Sequence, residues 1–324
     1  MKLATIKATE GNSRHGQLVV VSSDNQMAVK PGFCSTLLGA LETWDETSPK
    51  LMQLSKQLNE GKAEGAFKLD VKNCLAPLPH APGFYDGSAF LSHVYRARKS
   101  RGDTMPESAR VTPLMYQGVS DNLLPFNAPL ELMDPEFGGD FEGEFAVITK
   151  DVPKGTPAEK ISSYFALVTM FNDITYREIV KTEIQTKFGF LQSKPNSAFA
   201  PFVVTPDELG DAWKDGRLHG KLEVKLNGEL FGDPDGAEMN FSFGQLVAHA
   251  NRTRPLAAGS IIGTGTISNE DKARGFACLT EKRYQEVMDT GKATTPWLKA
   301  GDHLWMDYQL NGKSVFGVID QAVV

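Results

Sequence analysis

Two glutamates separated by a single glycine constrain this chain more than any other feature of its sequence. Glu142 and Glu144 lie in the segment DFEGEFAVI, residues 140–148, whose apolar second half predicts a β-strand. Because side chains alternate between the two faces of a strand, both carboxylates should point the same way, within reach of one ion. Two carboxylates that close repel each other, and a divalent cation with a preference for oxygen ligands removes that penalty. The pattern predicts a cation site, with a solvated strand face as the plainer alternative.

The composition indicates a globular protein whose partners are neither nucleic acids nor membranes. Of the 324 residues 41% are hydrophobic and 23% are charged, and the formal net charge is −6. An acidic chain lacks the basic surface that binds phosphates, and no apolar run is long enough to span a bilayer. The N-terminal residues lack the apolar core of a signal peptide, and the three cysteines are widely spaced. We therefore expect a cytoplasmic protein with reduced thiols.

A proline-rich stretch divides the sequence into two parts. Three prolines fall within residues 77–82, and they break both the helical and the strand periodicity. Residues 1–75 are predicted to form a small N-terminal α+β domain, with strands near 3–8 and 17–22 and a helix that begins at Ser48-Pro49. Residues 76–324 are predicted to form the larger domain.

The larger domain is predicted to be mostly β-structure. Asn227-Gly228 and Asn311-Gly312 separate strand-like runs and are typical of tight hairpins. Two capping boxes, which begin at Thr175 and Ser242, predict helices between the strands. Strict alternation of strands and helices is not apparent, so an α+β fold with a mixed or antiparallel sheet is favoured. The strand-like runs are residues 164–171, 199–204, 221–226, 260–267 and 303–310.

Further ionisable residues stand where strands or loops end. Asp173 follows an apolar strand, where an unpaired carboxylate would be costly, and Arg177 could pair with it or reach into the same pocket. If the segment from Asp86 is helical, Asp86 and His93 share one face, as a metal ligand and a general base. The plainer interpretations are a helix-terminus acid and a structural histidine. Lys194 in a loop would ordinarily be solvated.

Common catalytic motifs are absent from the sequence. The glycine patterns of nucleotide-binding loops do not occur, and neither do the serine-hydrolase elbow, a C-x-x-C pair or H-E-x-x-H. Gly265, in the segment TGTIS (264–268), would allow the backbone to approach a ligand closely. These absences argue against serine hydrolases, common zinc sites and dinucleotide-binding enzymes.

Taken in chain order, the motifs of residues 76–324 resemble the fumarylacetoacetate hydrolase family. The resemblance rests on the order E-x-E, then Asn172-Asp173, then Lys194, then GTIS (265–268), which is far more specific than any single element. It implies a mixed β-roll or β-sandwich-like catalytic core of that family's type, with the small N-terminal α+β domain before it. It also implies a homodimer.

The same resemblance implies roles for individual residues. Mg²⁺ or Ca²⁺, with Mn²⁺ as a further candidate, would be bound by four carboxylates. His93 would be the catalytic base, Glu281 would orient it, and Arg177 and Lys194 would be the available cations. Substrate-contacting positions fall on Tyr116, Thr266 and Ser88, the last where relatives have a tyrosine. The implied metal ligands are Asp86, Glu142, Glu144 and Asp173.

The leading hypothesis is metal-dependent hydrolysis of a carbon–carbon bond in a β-diketone acid. Fumarylacetoacetate or an acylpyruvate from tyrosine or other aromatic catabolism would be the substrate. Relatives that decarboxylate oxaloacetate, hydrate 2-oxo-pentenoates or isomerise dienoates use the same enolate chemistry, and they remain the alternative. A structural or binding protein stabilised by a cation is the non-enzymatic alternative, under which His93 and Glu281 would have no purpose.

Overall fold

The computed structural model describes residues 1–8 and 14–324 as a set of short helices around β-sheets. None of the described helices is long and apolar enough to cross a membrane. The helices are α1 (Leu37–Glu42), α2 (Trp44–Asn59), α3 (Leu91–Lys99), α4 (Ser108–Val111), α5 (Arg177–Thr186), α6 (Phe243–Ala250) and α7 (Leu279–Thr290). Short 3₁₀ turns lie at Val71–Asn73, Pro135–Phe137, Ala158–Tyr164, Pro206–Ala212, Gly236–Glu238 and Lys272–Arg274.

The strands form one large mixed sheet, a smaller five-stranded sheet and two short pairs. In chain order they are β1 (Lys2–Ile6), β2 (Gln17–Val21), β3 (Met27–Val29), β4 (Phe67–Lys68), β5 (Phe84–Gly87), β6 (Met115–Gln117), β7 (Leu124–Pro125), β8 (Gly139–Asp140), β9 (Gly143–Thr149), β10 (Phe165–Asn172), β11 (Thr175–Tyr176), β12 (Ala198–Phe199), β13 (Phe202–Val204), β14 (Trp213–Lys214), β15 (Arg217–Leu218), β16 (Leu222–Leu226), β17 (Glu229–Gly232), β18 (Ile261–Gly263), β19 (His303–Leu310), β20 (Lys313–Ser314) and β21 (Ile319–Ala322). The main path of the large sheet runs β4-β3-β2-β1-β13-β10-β9-β18-β5-β6.

Four neighbouring strands at the centre of the large sheet bring the functional segments to one edge. Strand β9 is antiparallel to both β10 and β18, and β18 is parallel to β5. The start of β9 therefore lies beside the ends of the other three. Glu144 is opposite Phe171 on β10, and Asp86 on β5 is opposite Gly263 on β18.

The two faces of this sheet pack against different layers. Ala146 and Ile148 on one face of β9 join a core cluster with the apolar residues of α1 and α2. Phe145 and Val147 on the other face join a cluster with α6 and the five-stranded sheet. Glu144 shares the face of Ala146 and Ile148, since strand side chains alternate. The predicted α+β fold with a sandwich-like β core is confirmed.

Several local predictions agree with the structure. Asn227-Gly228 joins β16 to β17 and Asn311-Gly312 joins β19 to β20, with positive φ angles at all four residues. Both hairpins thus have the left-handed turn residues that such two-residue loops require. Ser242 caps α6 in a reciprocal capping box with Gln245.

Three local predictions are wrong. Helix α2 begins at Trp44, so Ser48-Pro49 lies inside it, where the proline forgoes one hydrogen bond in an otherwise amphipathic helix. Asp86 lies on strand β5 rather than on a helix, because β5 pairs on both sides with neighbouring strands. Thr175 does not cap α5: its hydroxyl donates to Glu142 and to the Asp173 carbonyl instead.

The N-terminal strands continue the large sheet. Strand β1 pairs with β13, with Lys2 opposite Val204, and β2, β3 and β4 follow in order. Residues before and after the proline-rich stretch therefore share one sheet. The domain division at residues 75 and 76 stays a prediction.

Phe171 is predicted to be a main contributor to the stability of the central sheet. Its ring is fully buried, stacks on Phe199 with 5.0 Å between centroids, and meets the edge of Phe84 at 5.4 Å. Phe171→Ala should lower the free energy of unfolding by roughly 3–5 kcal/mol, because it leaves a cavity. Phe188→Ala, at a site 99% exposed, should change it by less than about 0.5 kcal/mol. Urea denaturation measures both, and equal effects would contradict the packing described.

Candidate active site

Three buried carboxylates meet at the edge of the large sheet. Asp86, Glu144 and Asp173 each offer an oxygen, and the three oxygens lie within 4.8 Å of one another. Strand β5 supplies Asp86, the start of β9 supplies Glu144, and Asp173 directly follows β10. Because all three positions are at the same edge, the sheet register holds the cluster in place.

The Glu144 carboxylate has the contacts expected of a cation ligand. Neither of its oxygens has a hydrogen-bond partner among the described residues, although the residue is fully buried. Asp86 accepts from the Gly265 amide at 3.1 Å, and Asp173 accepts from the Ser197 hydroxyl at 2.7 Å. A buried carboxylate without a donor is costly unless a proton or a cation compensates it. This all-oxygen set therefore fits a hard divalent cation.

Burial and repulsion between carboxylates raise the pKa of Asp86 and of Glu144. Burial, and then the charge of Asp173, raise the pKa of Asp86 to about 7. Burial, and then the charges of Asp86 and Asp173, raise the pKa of Glu144 well above its usual range. Without a cation, the cluster therefore holds protons at pH values where isolated carboxyl groups have lost them.

Glu142, the fourth predicted ligand, lies beside this cluster and contacts cationic side chains. Its oxygens accept from Arg177 Nη2 at 2.6 Å and from Lys194 Nζ at 2.5 Å. The hydroxyls of Thr266 and Thr175 also donate to it. Burial alone would raise the pKa of Glu142, but Arg177 and Lys194 outweigh burial and hold it well below the usual range.

Lys194 connects Glu142 to the cluster. Its Nζ lies 2.5 Å from Glu142 Oε2 and 2.5 Å from Asp173 Oδ2, and the side chain is buried. Burial would lower the pKa of Lys194, but the two carboxylates raise it above its usual value. The lysine therefore stays protonated and compensates part of the negative charge.

Arg177 is held by an acid that the sequence analysis did not identify. Its Nε donates to Asp140 Oδ2 at 2.7 Å, and Asp140 also accepts from the amides of Leu279 and Thr280 at the start of α7. Arg177 thus reaches into the pocket through Asp140 and Glu142 rather than pairing with Asp173. The alternation of Asp140, Glu142 and Glu144 along the segment was the signal that could have identified it.

His93 and Glu281 form a hydrogen-bonded pair across two helices. His93 on α3 lies with Nδ1 2.9 Å from Oε2 of Glu281 on α7. The other carboxylate oxygen, Oε1, accepts from Ser268 at 2.6 Å and from Arg96 at 2.8 Å. An Nδ1–H donated to Glu281 leaves Nε2 of His93 as the basic nitrogen. Ser268 and Arg96 were not singled out from the sequence.

A cavity of about 510 Å³ borders both the carboxylate cluster and His93. The side chains of His93 and Lys194 line it together with the acids Asp86, Glu142 and Glu144. The predicted substrate-contacting residues Ser88, Tyr116 and Thr266 also line it. An apolar wall and two further basic side chains complete the lining: Val94, Ala97, Leu114, Met115, Val180, Ile184, Phe190, Arg98 and Arg101.

Several lining groups are already hydrogen-bonded within the site. Tyr116 donates its hydroxyl to Asp173 at 2.7 Å, and Thr266 donates to Glu142 at 2.7 Å. Gly265, with φ +76°, has no room for a Cβ, which would meet the Gly87 carbonyl oxygen at 2.3 Å. The glycine therefore allows the close approach of two strand ends, and it also lines the cavity, so its predicted approach to a ligand stays a prediction.

The cysteines show no nucleophilic character. All three are free, and Cys74 and Cys278 are buried. Burial, and then the charge of Asp140, raise the pKa of Cys278 well above its usual range, so the thiol stays protonated.

Comparison with protein families gives two matches that together cover most of the chain. The family model described as "Fumarylacetoacetate (FAA) hydrolase C-terminal" matches residues 84–323. The model described as "Fumarylacetoacetase N-terminal domain 2" matches residues 1–80.

Curated relatives match over shorter segments. An uncharacterized protein of Archaeoglobus fulgidus is 30% identical over 128 residues, which cover 39% of this chain and 47% of that protein. The oxaloacetate tautomerase YisK of Bacillus subtilis is 32% identical over 135 residues, which cover 41% of this chain and 42% of that enzyme. In both cases the matched segment spans less than half of the relative's own length.

Solved structures match the whole chain at low sequence identity, and so show the fold alone. The fumarylacetoacetate hydrolase of Exiguobacterium antarcticum has a TM-score of 0.67 at 17% identity, covering 100% of this chain and 99% of that one. A 5-carboxymethyl-2-hydroxymuconate delta-isomerase from Mycobacterium smegmatis has a TM-score of 0.64 at 18% identity with the same coverage. Maleylpyruvate hydrolase from Sphingobium sp. SYK-6, in complex with manganese(II) and pyruvate, has a TM-score of 0.65 at 14% identity, again with the same coverage.

Replacing Glu144 should show how much carboxylate repulsion destabilises the protein, and how much Glu144 contributes to cation binding. In chelated protein, Glu144→Gln should raise the melting temperature, by roughly 1–2 °C for each kcal/mol of repulsion relieved. Added Mg²⁺ or Mn²⁺ should then give a much smaller rise than in the unmodified protein. Thermal denaturation with and without cation measures both, with Glu229→Gln on the exposed strand β17 as the control. A stronger cation effect in Glu144→Gln would contradict the assignment.

The chelated protein should also lose stability as the pH rises. A carboxyl group whose pKa is raised by folding stabilises the protein below its unfolded pKa and loses that contribution as pH rises through the folded value. For Asp86 the folded value is about 7. The melting temperature should therefore fall between about pH 4 and pH 7, and Asp86→Asn should flatten that dependence. Identical slopes for the two proteins would be evidence against the shifted acid.

Proposed function

The chain belongs to the fumarylacetoacetate hydrolase family of enzymes, and on that premise we propose that it hydrolyses a carbon–carbon bond in a β-diketone acid. One observation carries the proposal: His93, whose ring is bonded to Glu281, lines the same cavity as Asp86 and Glu144, which form the carboxylate cluster with Asp173. A base with its orienting acid is what water activation requires, and a carboxylate cluster is what a divalent cation requires.

The three clustered acids would hold the cation, with Glu142 as the proposed fourth ligand from the adjacent position. The candidates are Mg²⁺, Ca²⁺ and Mn²⁺, and manganese is the ion named with the structurally similar maleylpyruvate hydrolase. When bound, such an ion acts as a Lewis acid toward the oxygens of a diketone and fixes their orientation.

His93 would act as the general base. Its Nε2 would take a proton from water, whose oxygen forms a bond to one carbonyl carbon of the substrate. The bond between that carbon and its neighbour breaks, and the electron pair leaves with the departing fragment as an enolate. The proton held at Nε2 then passes to the enolate carbon. Glu281 keeps the imidazole in the required tautomer and stabilises the imidazolium, as orienting carboxylates do in other base pairs.

Arg177 and Lys194 would stabilise negative charge on the substrate. Both remain cationic in a buried site, where a fixed positive charge is more effective than in water. Ser88, Tyr116 and Thr266 would contact the substrate, and the wall formed by Val180, Ile184 and Phe190 would receive the acyl group.

The proposed binding partner is thus the substrate itself, a small-molecule diketo acid. Aromatic or tyrosine catabolism as its source, and a homodimeric assembly, stay predictions.

A second candidate is proton transfer within a 2-oxo acid, without hydrolysis. It is favoured by the similarity to an oxaloacetate tautomerase in a 135-residue segment. A base positioned by an acid beside a cation site can also move a proton between carbon and oxygen of an enol. Oxaloacetate decarboxylation and the hydration or isomerisation of unsaturated oxo acids are related alternatives, because they also pass through an enol or enolate of a 2-oxo acid.

One assay series distinguishes these candidates. Purified protein with Mg²⁺ or Mn²⁺ is mixed with fumarylacetoacetate or simple acylpyruvates, and the loss of diketone ultraviolet absorbance is followed beside a chelated control. Cation-dependent loss with two acid products supports the hydrolase. Accelerated enol–keto exchange of oxaloacetate without cleavage of any diketone would replace it with the tautomerase. A melting temperature raised by cation, without turnover of either substrate class, would indicate a binding protein.

His93→Ala should lower kcat for the productive substrate by roughly 10²–10⁴-fold, because the general base is lost. Cation binding, followed by the rise in melting temperature, should be preserved, since His93 lies outside the carboxylate cluster. His303→Ala, which removes an exposed histidine paired with Asp320 on the five-stranded sheet, is the matched control and should retain activity. Turnover close to that of the unmodified enzyme in His93→Ala would refute the assigned role.

A further inference from the structure

Helix α3 separates the active-site cavity from a second one. His93, Val94 and Ala97 line the first, and Ser92 and Arg96 line a second cavity of about 700 Å³. Arg96 is nevertheless only 4% exposed, because its side chain extends from α3 to α7. A buried arginine requires compensation, and its partners indicate what it does.

The guanidinium of Arg96 is tied to four acceptors. Nη1 donates to Glu281 Oε1 at 2.8 Å and to the Ser268 hydroxyl at 3.2 Å. Nε donates to the Gln285 side chain at 3.0 Å, and Nη2 donates to the Glu270 carbonyl at 3.0 Å. Because the donors of an arginine form a rigid planar fork, these contacts fix its position as well as its charge.

This arrangement determines which oxygen of Glu281 remains for the histidine. Oε1 accepts from both Arg96 and Ser268, and Oε2 faces His93 Nδ1. Rotation of the carboxylate would break two hydrogen bonds to Oε1, one of them charge-assisted. The guanidinium of Arg96 also lies 2.8 Å from a carboxylate that is only 1% exposed, and so compensates the cost of burying that charge. Glu281 is therefore an acceptor for Nδ1–H in one orientation.

We propose that Arg96 is a positioning residue for the reaction, which fixes Glu281 and through it holds His93 as the Nδ1–H tautomer with Nε2 toward the substrate. The inference rests on the proposed function of His93 as the base. The sequence spacing suits it: His93 and Arg96 are three residues apart on α3, and Glu281 and Gln285 are four apart on α7, so each pair shares a helix face. The two pairs face each other.

The kinetic test replaces the arginine and follows kcat and KM separately on the productive substrate. Arg96→Met should lower kcat by roughly 10–100-fold, the usual effect of losing a group that orients a catalytic one, with KM nearly unchanged. Arg96→Lys keeps the charge but cannot form the fork, and should recover part of the loss. Arg110→Met removes an exposed cation from the lining of the same second cavity and should leave kcat unchanged.

A double variant tests whether Arg96 acts through Glu281. In a Glu281→Gln background the dyad is already lost, so adding Arg96→Met should reduce kcat no further. Multiplicative losses in the double variant, or full kcat in Arg96→Met alone, would overturn the proposal in favour of a purely structural ion pair.

A spectroscopic test needs no turnover and so remains decisive if the proposed function fails. Nitrogen-15 NMR of the histidine rings, in protein without cation or substrate, distinguishes Nδ1–H from Nε2–H imidazole. The sequence has six histidines, and His93→Ala assigns the relevant signals. The unmodified protein should show Nδ1–H at His93, and Arg96→Met should show a mixture of tautomers. If Arg96→Met does not fold, Arg96→Lys and Gln285→Leu take its place. Gln285→Leu removes the acceptor of the hydrogen bond from Arg96 Nε. An unchanged His93 tautomer in the folded variants would overturn the proposal.

Discussion

Repulsion among buried carboxylates is the constraint on which the rest of this structure depends. Oxygens of Asp86, Glu144 and Asp173 lie within 4.8 Å of one another and all three residues are buried, which is costly unless a proton or a cation compensates the charge. The surrounding residues are arranged to limit that cost. Lys194 lies against Asp173 and Glu142, and donors from Ser197 and Gly265 bind oxygens of Asp173 and Asp86. What remains uncompensated, at Glu144, is the reason for proposing a cation at this site.

The pair of His93 and Glu281 is held in place by a different part of the fold. The cluster is fixed by strand register, whereas His93 and Glu281 are brought together by the packing of α3 on α7. Asp140 connects the sheet edge to α7, since it binds Arg177 on one side and the first amides of α7 on the other. The sheet edge and the dyad therefore keep a fixed relation to each other, which a reaction that needs both a base and a cation requires.

The sequence was a good guide to elements whose signal is local. The hairpins at Asn227-Gly228 and Asn311-Gly312 and the capping box at Ser242 were correct because a turn or cap depends on a few adjacent residues. The predictions at Ser48-Pro49 and Thr175 were wrong because tertiary contacts outweighed the local signal. Pro49 is tolerated inside α2 because the helix packs along one apolar face, and the Thr175 hydroxyl has a better acceptor in Glu142, 33 residues earlier. Neither the packing of α2 nor the Glu142 acceptor can be inferred from the residues next to these positions.

The sequence by itself predicted which residues would carry the chemistry: the alternating acids, Asp173 after a buried strand, and, through family resemblance, His93 with Glu281. Residue types and spacing suffice there, because the requirement for oxygen ligands and a base is chemical. Only the tertiary structure decided how those residues are used. It placed Glu142 against Arg177 and Lys194, left Glu144 without a donor, and brought in Asp140, Ser268 and Arg96. Those contacts join residues up to 185 positions apart, and their strength comes from burial, which no local pattern encodes.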